Sequence, residues 1–216
     1  NQNADVVVRM PCGAGVGAGP FHSQTNEAWF TKTPGLKVVY PAFPADAKGL
    51  LCASINDPNP VLFFEHKALY RSIYQDVSED YYTIEIGKAS LLKEGNDVTI
   101  ITYGAGVHWA LDTLKTHPNI SADLIDLRTL QPLDESAIFT SARKTGKVIF
   151  LQEDSLFGSI SSDVSALITE NCFEFLDAPV KRVASIETPI PFQGELEKQY
   201  LPKQRFAFEL KALIDY

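Results

Sequence analysis

The 216-residue sequence predicts an α/β fold built on a mostly parallel sheet. Two observations carry that expectation. Short apolar, β-branched runs recur from Val6 to Ile186, and segments of helical length and spacing separate them. A third narrows it: no internal repeat or low-complexity tract interrupts the pattern, which disfavours a solenoid or a linker-rich array.

Taken in order, Val6-Val7-Val8 reads as a buried strand, and the alternating Gly13, Gly15, Gly17 and Gly19 read as a loop. Ser23 to Phe30 is expected as a short helix before the Pro34-Gly35 turn, and Leu36 to Tyr40 as the next strand. Asp46 to Ile55 places Ala47, Leu50, Leu51 and Ile55 at helical spacing, with Asp46 near its start. Asn56-Asp57-Pro58-Asn59-Pro60 stops that helix, and Val61 to Phe64 follows as a strand. Leu69 to Tyr82 is polar, lacks a period and is expected to connect two domains, residues 1–75 and 76–216.

Beyond it, strands are expected at Val98–Tyr103, Ala122–Leu127, Val148–Gln152 and Val180–Ile186. Helices are expected at Val107–Leu114, at Asp134–Lys144 with Asp134 as cap, and at Ser161–Cys172. An extra strand pair near Thr83 to Leu92 would lie at the sheet edge.

Composition bounds the function classes. A hydrophobic content of 45% and an aromatic content of 11% fit an ordinary globular chain. The net charge of −8 disfavours nucleic acid or an anionic membrane as partner. Cys12, Cys52 and Cys172 are scattered, which excludes a disulfide framework or a conventional zinc site and suits a reducing compartment. No apolar stretch approaches the ~20 residues of a membrane span. The chain opens without an initiator methionine or signal peptide and runs directly into its first strand, so it reads as part of a longer polypeptide.

His22 is the leading catalytic candidate. It stands beside Ser23 and Gln24 after a flexible glycine run, and imidazole titrates near neutral pH. The alternative is a histidine that only caps the following helix. Two glycine patterns invite a dinucleotide reading. Gly13-Ala14-Gly15-Val16-Gly17-Ala18 is interrupted by Pro20. Gly104-Ala105-Gly106, with Asp126 downstream, puts Trp109 where a small residue is needed, so a tight strand-to-helix turn is the simpler account.

Ser54, Asp57 and Asn59 offer oxygen atoms in a proline-stiffened turn, suited to a weakly charged hard cation or to plain helix capping. Glu65-His66-Lys67 with Tyr70-Arg71 could line a cleft or form a solvated loop; structural positioning at a subunit interface is favoured. His108 is expected on a helix surface, His117 at a helix end, and Glu153-Asp154 follows a strand without an assigned role.

The stretch from His22 to Val39 closely resembles the beta subunit of thiamine-diphosphate-dependent 2-oxoacid dehydrogenases. So do Asp46-Ala47-Lys48-Gly49-Leu50, Asp57-Pro58-Asn59-Pro60, Phe63-Phe64-Glu65 with Leu69-Tyr70-Arg71, Asp126-Leu127-Arg128-Thr129-Leu130 and Leu176-Asp177-Ala178-Pro179. The segments keep the family order over nearly the whole chain, and Phe63 to Arg71 looks more like the branched-chain members. The resemblance implies a partial pyrimidine-binding domain followed by a transketolase C-terminal-like domain. In the family, part of the first domain, including the glutamate that activates the cofactor, lies before the segment matched by Asn1. Glu27 and Glu65 match segments used otherwise.

By the same resemblance, His22 matches the histidine credited with proton transfer during acyl transfer. Thiamine diphosphate with magnesium would be shared with an alpha subunit, or with the alpha half of a fused chain. Structural potassium would lie among Ala4, Val6, Val7, Ser54, Asp57 and Asn59. The partners implied are the alpha part, a second beta subunit, a lipoyl acyltransferase core and a 2-oxoacid, in the cytoplasm or the mitochondrial matrix. Against this stand two other expectations: a non-catalytic association or docking module of the same fold, and a nicotinamide-dependent dehydrogenase.

Overall fold

A computed structural model describes residues 3–216. The first sheet has the order β1-β3-β2-β7. Its strands are β1 (Val7–Cys12), β2 (Lys37–Val39), β3 (Val61–His66) and β7 (Thr129–Gln131). β3 pairs in parallel with both β1 and β2, whereas β7 runs antiparallel to β2. The second sheet has the order β4-β6-β5-β8-β9. It is built from β4 (Ser90–Lys93), β5 (Val98–Thr102), β6 (Ala122–Asp126), β8 (Val148–Leu151) and β9 (Lys181–Val183), and it is parallel except where β4 meets β6.

The helices are α1 (Gly19–His22), α2 (Ala28–Thr31), α3 (Pro44–Ile55), α4 (Ala105–Thr116), α5 (Glu135–Thr145), α6 (Ile160–Cys172), α7 (Gly194–Tyr200) and α8 (Lys203–Ile214). Single 3-10 segments follow β3, at Lys67–Arg71, and α6, at Phe173–Phe175.

β3, β5, β6 and β8 are buried along their whole length, as parallel strands covered on both faces must be. Burying each of Phe63, Phe64 and Phe150 contributes about 1.5–3 kcal/mol. One apolar cluster joins the two sheets: Tyr40 and Phe64 from the first pack with Ile101, Tyr103 and Phe150 from the second. The Tyr40 ring stacks on Phe64 at 5.6 Å and meets Tyr103 at 5.3 Å.

The passage from β6 on the second sheet to β7 on the first runs through Arg128. This residue adopts φ 57°, a left-handed conformation costing roughly 1–3 kcal/mol in a non-glycine residue. Side chains hold it there. The Arg128 amide donates to Asp126 Oδ1 at 3.0 Å, and its guanidinium makes a bidentate pair with Asp46 at 2.8 and 3.0 Å. The Arg128 carbonyl then accepts from the Tyr40 amide at 2.8 Å, which places β7 on the first sheet.

Several elements depart from the sequence-based expectation. Val6 and Val8 are 52% and 43% exposed, because β1 lies at a sheet edge with β3 as its one neighbour. Residues 23–30 do not form one helix: α1 ends at His22, residues 23–26 are irregular and α2 begins at Ala28. Near Thr83 to Leu92 there is one strand, β4, rather than a pair. β7, α7 and α8 come without a matching expectation. α8 nonetheless carries a plain signal, since Phe206, Leu210 and Leu213 recur at helical spacing and are fully buried.

Candidate active site

The glycine run before His22 is not free. Gly13, at φ 93°, lies against the His66 ring, and a Cβ there would sit 2.3 Å from His66 Nε2. His66 Nε2 bonds Glu153 Oε2 at 2.6 Å, and Glu153 Oε1 accepts from the Ala14 amide at 2.7 Å. Gly17 donates to Glu197 Oε2 at 3.0 Å, and Gly19 is seated on the Phe192 ring. Two buried acids from distant elements therefore pin a run expected to be flexible, because a buried carboxylate must find donors. The glycines admit the close approach and the positive φ.

His22 ends α1 with its imidazole exposed, and its carbonyl accepts from Lys67 Nζ. Phe21 and Phe192, 6.2 Å apart, form an aromatic rim beside it. Ser23, Thr25 and Glu27 turn inward. Glu27 is fully buried, with Oε1 accepting from Tyr103 Oη at 2.5 Å. Burial, and then the neighbouring Asp154 carboxylate, push its pKa up to about 8. Burial also raises Asp154, to about 6. Beside this segment lies a cavity of about 390 Å³, bounded by Gln24, Asn26, Trp29, Asp154, Glu187 and Tyr200.

The residues expected to hold a cation lie on neighbouring segments. The Ala4 amide donates to the Pro58 carbonyl at 3.1 Å, and Val61 donates to the Val6 carbonyl at 2.9 Å. Val7 sits in register with Val61. The Ser54 carbonyl accepts from the Asp57 amide at 3.3 Å, while Ser54 Oγ donates back to Leu50 at 2.7 Å. Asp57 pairs with Lys37 and accepts from Asn59 N at 2.9 Å and Asn59 Nδ2 at 3.0 Å. Burial raises the Asp57 pKa, but the Lys37 and Asn59 hydrogen bonds outweigh it, so the net shift is downward. The carboxylate is thus committed to Lys37, and the oxygens that fit a monovalent cation are the backbone carbonyls, each of which keeps a lone pair after one hydrogen bond. Asn1 and Gln2 lie outside the described residues.

Glu65 and His66 are buried in β3 rather than placed in a loop, with Glu65 held by Arg9 through bonds of 2.5 and 2.7 Å and by Tyr70. His108 is not on an open helix surface: Nε2 bonds the Ala42 carbonyl at 2.8 Å, and burial lowers its pKa. His117 does cap α4.

The Gly104–Gly106 turn is a packing device. A Cβ at Gly104 would meet the Tyr40 ring at 2.8 Å, and one at Gly106 would meet Thr102 Oγ1 at 2.1 Å. Asp126, the acid a ribose would need, is fully buried and bound to the Arg128 amide. This geometry disfavours a nicotinamide site. Glu27, Glu153 and Glu197 were not assigned roles from the sequence. Their partners lie 76, 139 and 180 residues away, beyond any local pattern.

Residues 1–72 match the transketolase pyrimidine-binding domain, and residues 87–205 match the transketolase C-terminal domain. The chain belongs to the transketolase family. Within it, the chain is 49% identical over 199 residues to the 2-oxoisovalerate dehydrogenase subunit beta of Bacillus subtilis, covering 91% of this chain and 61% of that protein.

It is 47% identical to the acetoin:2,6-dichlorophenolindophenol oxidoreductase subunit beta of the same organism, covering 91% of this chain and 58% of that protein. With the B. subtilis pyruvate dehydrogenase E1 component subunit beta it shares 44% identity, over 94% of this chain and 63% of that protein. The chain thus spans about three fifths of the length of these relatives. A solved split-gene transketolase, described as an inactive beta4 tetramer, superposes with a TM-score of 0.78 at 25% identity, over 99% of this chain and 67% of that one.

Proposed function

We propose that this chain is the beta-side portion of a thiamine-diphosphate-dependent 2-oxoacid dehydrogenase, acting on a branched-chain 2-oxoacid and passing the acyl unit to a lipoyl group. The observation that carries the reading is His22: an exposed imidazole on a pinned glycine turn, within a family whose similar members are dehydrogenase beta subunits. The two expected domains, 1–75 and 76–216, would divide the work between presenting His22 and joining subunits.

The described residues around His22 would form one wall of a shared cofactor site. By the family resemblance, magnesium and the diphosphate would be held by an alpha part. When bound, thiamine diphosphate supplies carbanion stabilisation. His22 would hold a proton and pass it to the sulfur freed as the lipoyl disulfide opens during acyl transfer, Phe21 and Phe192 would exclude water from that face, and Lys67 would fix the turn that aims the imidazole.

Potassium would tie the Ala4–Val7 segment to the Ser54–Asn59 turn. A second beta subunit and an acyltransferase core complete the proposed assembly. No helix among the described residues is long and apolar enough to cross a membrane; a bacterial cytoplasm or a mitochondrial matrix is the proposed compartment. The polypeptide containing this chain, assembled with its alpha partner, should release carbon dioxide faster from 3-methyl-2-oxobutanoate than from pyruvate, and should not cleave acetoin. Preference for acetoin would move the chain to the other class of relative, and inactivity on all three would favour the non-catalytic docking module.

A further inference from the structure

Side chains after His22 alternate. Ser23, Thr25 and Glu27 are buried, whereas Gln24 is exposed and Asn26 half-buried, so His22, Gln24 and Asn26 share the outer face. The inward side chains act as pegs, and Glu27 reaches deepest. Its partner Tyr103 lies directly after β5 and packs on Tyr40 at 5.3 Å and on Phe150 at 6.3 Å, within the cluster common to both sheets.

The second carboxyl oxygen, Glu27 Oε2, is buried without a partner among the described residues. The titratable groups around Glu27 are Tyr103, Asp154 and Glu153, with Cys12, Tyr40 and Tyr200 further out. None of these is a cation, and the nearby His66 is held by Glu153. An ionised Glu27 would face two acids with no positive charge to offset it.

We propose that Glu27 is a positioning residue for His22: as a neutral carboxyl bonded to Tyr103, it seats the His22–Asn26 segment on the shared core, and loss of its proton unseats that segment. This rests on the reading of His22 as the proton-transfer group. Burial and the Asp154 carboxylate hold the Glu27 pKa near 8, consistent with the neutral form at neutral pH. Its folded value lies above the unfolded value of about 4.3. The stabilising contribution is therefore complete below that unfolded value and is lost as pH rises towards about 8.

The test uses Glu27→Gln, which keeps the shape without the charge, and Glu27→Ala. In the assembled enzyme, Glu27→Gln should keep its kcat at neutral pH and retain it above pH 8, where the unsubstituted enzyme declines. Glu27→Ala should lower kcat by roughly 10- to 100-fold, the scale of a misplaced catalytic group, with little change in KM for the 2-oxoacid.

In the chain itself, the melting temperature of Glu27→Gln should fall less between pH 5 and pH 8 than that of the unsubstituted chain. Amide exchange at Gln24 and Asn26 should accelerate in Glu27→Ala but not in Glu27→Gln. If the unsubstituted enzyme turns over no 2-oxoacid, the proposed function fails on its own, and the melting and exchange data still decide the role of Glu27. Melting profiles of Glu27→Gln and the unsubstituted chain that superpose, or unchanged exchange at Gln24 and Asn26 in both variants, would overturn the proposal.

Discussion

His22 ends a helical turn whose carbonyl is held by Lys67 while the imidazole stays open to solvent. This separation of anchoring from chemistry predicts the outcome of its removal. In the assembled enzyme, His22→Ala should slow acyl transfer to a lipoyl domain by about 100-fold or more, with the melting temperature nearly unchanged. Unchanged turnover with lipoyl domain as acceptor would refute the assignment.

Asp57 poses a different residue-scale question, because its carboxylate serves Lys37 and Asn59 while the proposed cation would contact carbonyls. Asp57→Ala should lower the melting temperature and weaken its dependence on potassium, because the turn that carries the carbonyls loses its Asn59 brace. Equal melting temperatures of the unsubstituted chain in potassium and in tetramethylammonium would show that no such site exists. His22 stood out in the sequence through its local setting after the glycine run. The acids that support its turn were not, since Glu153 and Glu197 reach the turn only through the folded chain.

Among the elements, α5 shows why some were legible. Asp134 caps it by accepting from the Ala137 amide at 3.2 Å, and Gly146, at φ 68°, ends it in the left-handed conformation. Both signals are local and stand in the sequence. Asp134 also accepts from the Ala89 amide at 3.2 Å, tying the approach to β4 to the start of α5. Asp134→Ala should therefore cost about 1 kcal/mol or more, a fall of roughly 2–4 °C per kcal/mol in a chain of this size, read by thermal unfolding. A change within experimental error would mean that water replaces the cap.

Residues 23–30 show the opposite case. The sequence is compatible with one short helix there, but the buried side chains of Ser23, Thr25 and Glu27 alternate with period two, which breaks the helix before Ala28. β7 is only three residues long and depends on the left-handed Arg128, held by Asp126 and Asp46. Such tertiary stabilisation of a strained residue leaves no propensity signal.

At the scale of the whole molecule, two mostly parallel sheets share a core through Tyr40, Phe64, Tyr103 and Phe150, and the segment after His22 is tied to that core by the Glu27–Tyr103 bond. The alternation of strand and helix made the α/β class legible, and repeated apolar runs marked β3, β5 and β8. The joining of both sheets at one core rests on long-range packing that periodicity does not encode.

The central claim is that this chain supplies one wall of a cofactor site completed by a second polypeptide. Calorimetric titration of magnesium thiamine diphosphate tests it most directly. The account predicts no saturable heat with this chain alone, and micromolar or tighter binding once the beta polypeptide containing it is combined with its alpha partner. Micromolar binding by this chain alone, or none in the combined assembly, would contradict it.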